Sequence, residues 1–324
     1  MDQNRRIFYF AFDHQRPTGG QKETYQHVDV LNRNGFDAFA VHRNDEFRLS
    51  WFDNDTRVIG QAGFERMLHS GHDYVVVPED IGAAIVQVPG RKVIFNKNVV
   101  GGFTSMGNSS SCDYAYLSDE VIAAFASSVH NKDILQFAYP NLKVFLVDYD
   151  VRPDLFRFRA LEDKKPVIAC IPKAPAHLMS VFHLVQSRSA GKLNPGAKFE
   201  WVVLEGKSES ETIAILADAL IFVFTSIDEG LPRLPLEAMA SGCLVVAYAG
   251  GPLPEYLPAE YGVAYGDLVG MAQRIERFMN APDPPLLQQY GPITHAARQV
   301  AERYCRERQE QSVLSAWEQV LRAC

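Results

Sequence analysis

The chain has no uninterrupted apolar run approaching the roughly 18–20 residues that cross a bilayer, which rules out a spanning helix. Its first residues, MDQNRRIFYFAFDHQRP, pass from charge into a short apolar run that Asp13 and His14 end. A secretory leader needs a longer apolar segment and a small-residue cleavage site, so a soluble, cytoplasmic protein is expected. Cysteine is scarce: five residues, at 112, 170, 243, 305 and 324, are scattered and form no C-x-x-C. Neither a disulfide framework nor a zinc site follows from such a set. No basic domain or tail exists. The 32 Lys and Arg face 39 Asp and Glu, a net charge of −7 that is −3 over residues 1–160 and −4 over 161–324. A nucleic-acid footprint would need clustered positive charge, so nucleic acid is not an expected partner. A G-x-G-x-x-G dinucleotide fingerprint is also missing: only Gly19-Gly20 follow the first apolar run, and the second ends in His42-Arg43 rather than an acidic residue. That excludes an NAD-dependent oxidoreductase.

What is present is a 324-residue chain, 47% hydrophobic, long enough for about two domains with ordinary cores. Short apolar runs occur at Ile7–Phe12, Ala38–Val41, Tyr74–Val77, Lys92–Phe95, Tyr114–Leu117 and Lys143–Val147, and resume at Val167–Ile171, Trp201–Leu204, Leu220–Thr225 and Leu244–Tyr248. Between them lie stretches of helical length, among them Gln21–Arg33, Asp119–Ser127, His177–Arg188 and Glu209–Ala219. Buried strands alternating with helices predict parallel sheets covered on both faces. Ser208-Glu209-Ser210-Glu211 reads as a capping box opening a helix. The charged, strand-free stretch 157–166 ends in proline and marks the boundary between two doubly wound α/β domains, residues 1–158 and 159–290. One or two helices over 291–324 are expected to return toward the first domain, with Arg298, Arg303, Arg306 and Arg308 on a solvated face.

The chemistry concentrates in FVFTSIDEGLPRLPLEAMASGCLVVAYAGGPLPE, residues 222–255. A buried strand ending near Thr225 predicts a polar turn with Asp228 and Glu229. A helix then starts close to Pro235, which suits a first helical turn, and Gly242 stops it. Glu229 therefore falls beyond a strand's carboxyl end and Glu237 in the first turn of the next helix. Ligands of open α/β sheets gather at that edge, and helix N-terminal amides suit an anion. Two carboxylates flanking such amides fit a ligand with a central diphosphate and hydroxyl-rich sugars at both ends.

EGLPRLPLEAMASGCLVVA resembles the donor-binding signature of retaining glycosyltransferase family 4, a Glu-x7-Glu element on a GT-B fold. PTGGQKETYQHVDVLNRNGFDAFAV resembles that family's first strand, Gly-Gly turn and helix, and GKSESETIAILADALIFVFTSIDEG its approach to the first glutamate. The resemblance implies two Rossmann-like domains facing across a cleft. The expected substrates are a nucleoside-diphosphate sugar and a glycan, lipid-linked or small-molecule acceptor, with no metal or other cofactor. It implies that Glu229 meets the donor sugar, that Glu237 binds the nucleotide ribose, and that amides near Gly230 and Leu231 approach sugar and phosphate. Gly19 and Gly20 would let the backbone come close to the donor. Closure of the cleft would bring the acceptor to the anomeric carbon. Polysaccharide or lipid-linked glycan assembly is the usual setting; peripheral membrane contact and oligomeric state stay open.

The chain departs from the family pattern in three places. Leu231-Pro232-Arg233 replaces the usual Phe-Gly, and Pro232 has no N–H to offer; Arg233 either substitutes as a charged donor or faces solvent. The cations expected after the second domain's first strand reduce to Lys173 in Ile171-Pro172-Lys173-Ala174. Where the family often carries a histidine, this chain has Asn96-Lys97-Asn98. Asn96 and Asn98 are candidates to hydrogen-bond the donor sugar and Lys97 to offset leaving-group charge. Asp148-Tyr149-Asp150 has the spacing of a metal-binding Asp-x-Asp, but its place before the domain crossover favours a capped turn. A GT-B epimerase or phosphorylase shares the architecture, and a degenerate subunit that binds a partner or a nucleotide sugar without turnover is the alternative to an active transferase.

Overall fold

The computed structural model describes residues 5–106, 115–190, 199–281 and 283–322. The chain divides into two compact units. The first contains Met1–Asp150, Asp228–Leu231 and Arg306–Cys324, and the second Val151–Ile227 and Pro232–Cys305.

In the first unit the order is β1 (Arg6–Phe10), α1 (Gly19–Arg33), β2 (Asp37–His42), β3 (Val58–Gly60), α2 (Gln61–Met67), β4 (Tyr74–Pro78), β5 (Arg91–Asn96), α3 (Val99–Ser105), β6 (Val121–Ala126), α4 (Val129–Ala138) and β7 (Val144–Leu146). Its seven strands lie in the order β3-β2-β1-β4-β5-β6-β7, all parallel. Such a sheet is buried on both faces, so its strands read as continuous apolar runs: Tyr74–Val77 and Val93–Phe95 are buried at every position. The strand order reverses between β1 and β4, which creates the crevice where open sheets place ligands.

The second unit contains β8 (Lys165–Ile171), α5 (Pro175–Ala190), β9 (Glu200–Val203), α6 (Glu209–Asp218), β10 (Ala219–Phe224), α7 (Arg233–Ala240), β11 (Leu244–Tyr248), β12 (Gly262–Val263), α8 (Leu268–Met279) and α9 (Pro284–Ala301). Its five-stranded sheet, β12-β11-β10-β8-β9, is also parallel and reverses between β8 and β10. The capping box forms as expected: Ser208 Oγ accepts from the Glu211 amide and Glu211 accepts from the Ser208 amide.

The last helix, α10 (Arg306–Arg322), belongs to the first unit. Its Trp317 is fully buried and meets Tyr9 of β1, Tyr74 of β4 and Phe125 of β6 edge to face, with centroids 6.4, 5.6 and 5.5 Å apart. Gln309 donates to Glu23 of α1 at 2.6 Å in the interior. Arg308 pairs with Asp148 at 2.9 Å, and Arg306 approaches Asp150 at 3.9 Å. Two of the four tail arginines thus face acids of the first unit rather than solvent alone. The Asp-x-Asp motif is where the chain receives its terminal helix.

Two sequence expectations fail together. Ala115–Leu117 is a 3-10 turn, not a strand, and residues 121–126, read as part of a helix, form β6. The run Val-Ile-Ala-Ala-Phe-Ala contains good helix formers, but it lies between β5 and β7 and is buried almost throughout. Burial on both faces overrides the intrinsic preference of alanine.

Candidate functional site

At the carboxyl edge of the first sheet a polar network surrounds the end of β5. Asn96 is fully buried: its Nδ2 donates to Tyr116 Oη at 2.7 Å and its Oδ1 lies 3.4 Å from Asn131 Nδ2. Lys97 extends over the Phe95 ring, 4.8 Å from the centroid. Asn98 caps α3, its Oδ1 accepting from the Gly101 amide at 3.0 Å, while its Nδ2 donates to the Asp228 carbonyl at 2.9 Å. Of these three residues, Asn96 therefore faces protein, and Asn98 reaches the backbone of Asp228, next to Glu229.

That segment is tightly seated. Gly230 is buried, and a Cβ placed on it would stand 1.4 Å from the Lys97 carbonyl oxygen and 2.9 Å from Asn131 Nδ2. Leu231 is buried beside it. Gly19 and Gly20 begin α1 and neither has a positive φ, so left-handed backbone is not their use. Gly20 instead leaves room for Lys97, whose Cδ would lie 3.1 Å from a Cβ at that position.

Glu79, directly after β4, went unnoticed in the sequence. It is buried, and its Oε1 accepts from the Asn98 amide at 2.7 Å. Burial pushes its carboxyl up to about 7, opposed by the nearby Lys97 charge. His27 is buried against Phe95, with ring centroids 4.6 Å apart, and burial pushes it down to about 3, so it is a neutral core residue. Because Glu79 holds its proton more tightly folded than unfolded, the native state binds the extra proton and stability falls as pH rises from about 4.5 through about 7. Glu79→Gln should remove that fall. Melting curves at pH 5 and pH 8 check this: the wild type loses more than the variant between the two.

In the second unit, Lys173 stands exposed two residues beyond β8, at the reversal point of the sheet. Helix α7 begins at Arg233, two residues earlier than the sequence suggested, so Glu237 lies in its second turn. Pro232 and Pro235 carry no N–H, leaving Arg233 and Leu234 as the amide donors of the first turn. Arg233 does not face solvent: its side chain is largely buried and its Nε lies 3.5 Å from Glu237 Oε1. Tyr256 Oη donates to the Pro232 carbonyl at 2.9 Å, fixing the entry to the helix. At the other end Gly242 has φ +83°, and Lys164 donates to the Leu216 and Ser241 carbonyls at the ends of α6 and α7. A half-buried cation on the last carbonyls of two helices is favourable there. His177 in the first turn of α5 packs against Tyr248 and Tyr265.

Residues 187–291, which contain both Glu229 and Glu237, match the sequence profile of the family described as glycosyl transferases group 1. An alpha-1,6-glucosyltransferase of Actinobacillus pleuropneumoniae is 22% identical over 253 residues, covering 75% of this chain and 72% of that protein. By these matches the protein is a glycosyltransferase. The transferase also superposes on the sucrose-phosphate synthase of Thermosynechococcus elongatus, with a TM-score of 0.69 at 13% identity over 99% of this chain and 100% of that one. The pneumococcal O-GlcNAc transferase GtfA, solved with UDP and GlcNAc, gives 0.67 at 9% identity over 98% and 99%. Its two parallel α/β sheets are those of the GT-B fold. Among the described residues of the transferase no helix is long and apolar enough to cross a membrane.

Proposed function

We propose that the protein is a retaining glycosyltransferase of family 4 that moves a sugar from a nucleoside-diphosphate sugar to a glycan, lipid-linked or small-molecule acceptor, in the cytoplasm and without a metal. One observation carries this reading. A strand, β10, delivers a tightly seated loop with Glu229, and a short helix with Glu237 follows at once, both within the family-matched residues. The carboxylate of Glu237 binds the ribose hydroxyls and that of Glu229 the donor sugar. The diphosphate lies near Lys173 and the amides of Gly230, Leu231 and Arg233.

The acceptor oxygen forms a bond to the anomeric carbon as the bond from that carbon to the diphosphate breaks. The acceptor's proton passes to the departing phosphate oxygen. Attack on the face from which the diphosphate leaves retains the anomeric configuration and needs no enzyme nucleophile. Catalysis is then positioning and stabilisation of the leaving charge, for which Lys173 is the cation of the second unit.

Isothermal titration with UDP, GDP and ADP in the presence of EDTA tests the donor site. One nucleotide binds in the micromolar range, and Glu237→Ala weakens it roughly tenfold or more, the loss of hydrogen bonds to a charged acceptor. Glu229→Ala binds the nucleotide normally and transfers slowly. If no nucleotide binds, the chain is a degenerate subunit that works through a partner. Equal, small effects of both substitutions overturn the assignment of the two glutamates.

A further inference from the structure

We propose that Glu79 is a positioning residue for transfer: acting through Asn98, it holds the Asp228–Leu231 segment, and with it Glu229, in the reactive arrangement. The proposal rests on the reading of Glu229 given above. Asn98 is a junction between two otherwise separate stretches of chain. Its backbone amide donates to Glu79 Oε1 at 2.7 Å, and its side-chain Nδ2 donates to the Asp228 carbonyl at 2.9 Å. The segment beyond has no slack, because the Gly230 backbone lies directly against the Lys97 carbonyl. A shift of Asn98 therefore moves the residue preceding Glu229.

The surroundings of Glu79 are built to admit a carboxyl group. Gly102 makes room for it, since a Cβ there would lie 3.2 Å from Glu79 Cβ and Cγ. Ser105 Oγ donates to the Glu79 carbonyl at 3.2 Å and secures the backbone. Yet the second carboxyl oxygen, Oε2, is buried without a hydrogen-bond partner, although an unmatched buried acceptor costs stability. The groups that bear on Glu79 are Lys97 from the turn after β5, Asp80 from its own turn and Tyr116 from the 3-10 turn before β6. With the carboxyl pushed up to about 7, the strength with which it holds Asn98 changes across neutral pH. The ionised form accepts the more strongly.

The test combines kinetics with a measurement that needs no substrate. Donor turnover is followed against pH for the wild type, Glu79→Gln, Asn98→Ala and the double variant, using the sugar of whichever nucleotide binds in the titration. In the wild type kcat rises with pH through about 7. In Glu79→Gln that limb is absent and kcat stays low, roughly tenfold down, with KM for the donor little changed, as for a loss of alignment rather than of binding. The double variant is no worse than the poorer single one, because both act through one tether. A limb that persists in Glu79→Gln, or losses that multiply in the double variant, overturns the proposal. Amide hydrogen exchange of the unliganded protein, corrected for intrinsic rates, is read on the peptide spanning 226–233 at pH 6 and pH 8. Protection rises several-fold with pH in the wild type and stays flat in Glu79→Gln. Unchanged exchange in the variant overturns the tether whatever the nucleotide data show. Coupled exchange without nucleotide binding overturns the role assigned to Glu229 and leaves the tether supported.

Discussion

Replacing Trp317 by alanine should destabilise the first unit by about 3–5 kcal/mol, the range for deleting a buried large aromatic side chain. The indole is fully buried and spans three strands, touching Tyr9, Tyr74 and Phe125, so no single neighbour can relax into the space it leaves. Its Nε1 also donates to Tyr9 Oη at 2.9 Å, and that hydroxyl lies 3.4 Å from His27 Nδ1 in the interior. Alanine removes the donor and leaves a buried polar pair with one partner fewer, adding to the cavity term. The chain has only three tryptophans, Trp51, Trp201 and Trp317, so the two that remain report separately on the first unit (Trp51) and the second (Trp201). Adding Trp201→Phe or Trp51→Phe to Trp317→Ala isolates each signal. The Trp51 transition should fall by roughly 6–20 °C for a unit of this size. A shift equivalent to less than about 1 kcal/mol would mean that the contacts of α10 do not secure the first unit.

Much of this architecture was legible because its causes are local. The Val, Ile and Phe runs of β1, β4, β5, β8, β10 and β11 are buried on both faces, and such runs carry their own signature. Ser208 and Glu211 specify the start of α6 within four residues. The Glu229 and Glu237 spacing was visible for the same reason, since loop and helix are contiguous. What escaped notice depends on partners far along the chain. Strands β3 and β12 have three and two residues, too few for a period to show. β6 is alanine-rich and becomes a strand only between its neighbours. Asp148 and Asp150 read as a capped turn, but the partners they meet, Arg308 and Arg306, stand about 160 residues later in the chain. Glu79 is an ordinary turn carboxylate in one dimension, and only the space at Gly102 and the amide of Asn98 make it a buried one. Pro232, which seemed merely to delete an amide, also presents a carbonyl that Tyr256 holds.

Substituting Gly230 by alanine should reduce transfer at least about a hundredfold and weaken nucleotide binding by a smaller factor, since the Gly230 and Leu231 amides assigned to the diphosphate move with the segment while Glu237 stays on its helix. The reason is steric and does not depend on backbone conformation, because Gly230 is not among the positive-φ glycines. A methyl group there would sit 1.4 Å from the Lys97 carbonyl oxygen, 2.4 Å from its carbon and 2.9 Å from Asn131 Nδ2. Two of those three atoms are backbone, and Asn131 is itself buried and bonded to Asn96 and Ser127. Neither side can yield cheaply in a packed interior, so the Asp228–Leu231 segment has to withdraw by an ångström or more. Glu229 precedes Gly230 and moves with it, and misplacement of that size costs roughly a hundredfold in rate. Gly291→Ala is the control: nothing lies within 4 Å of a Cβ at that position inside α9, and alanine should stabilise the helix by up to about 1 kcal/mol without touching catalysis. Turnover and UDP, GDP or ADP affinity measured side by side separate the outcomes. Near-normal turnover in Gly230→Ala would show that the segment is not held against Lys97 during the reaction. Equal losses of turnover and nucleotide affinity would show instead that Gly230 serves the nucleotide and not the placement of Glu229.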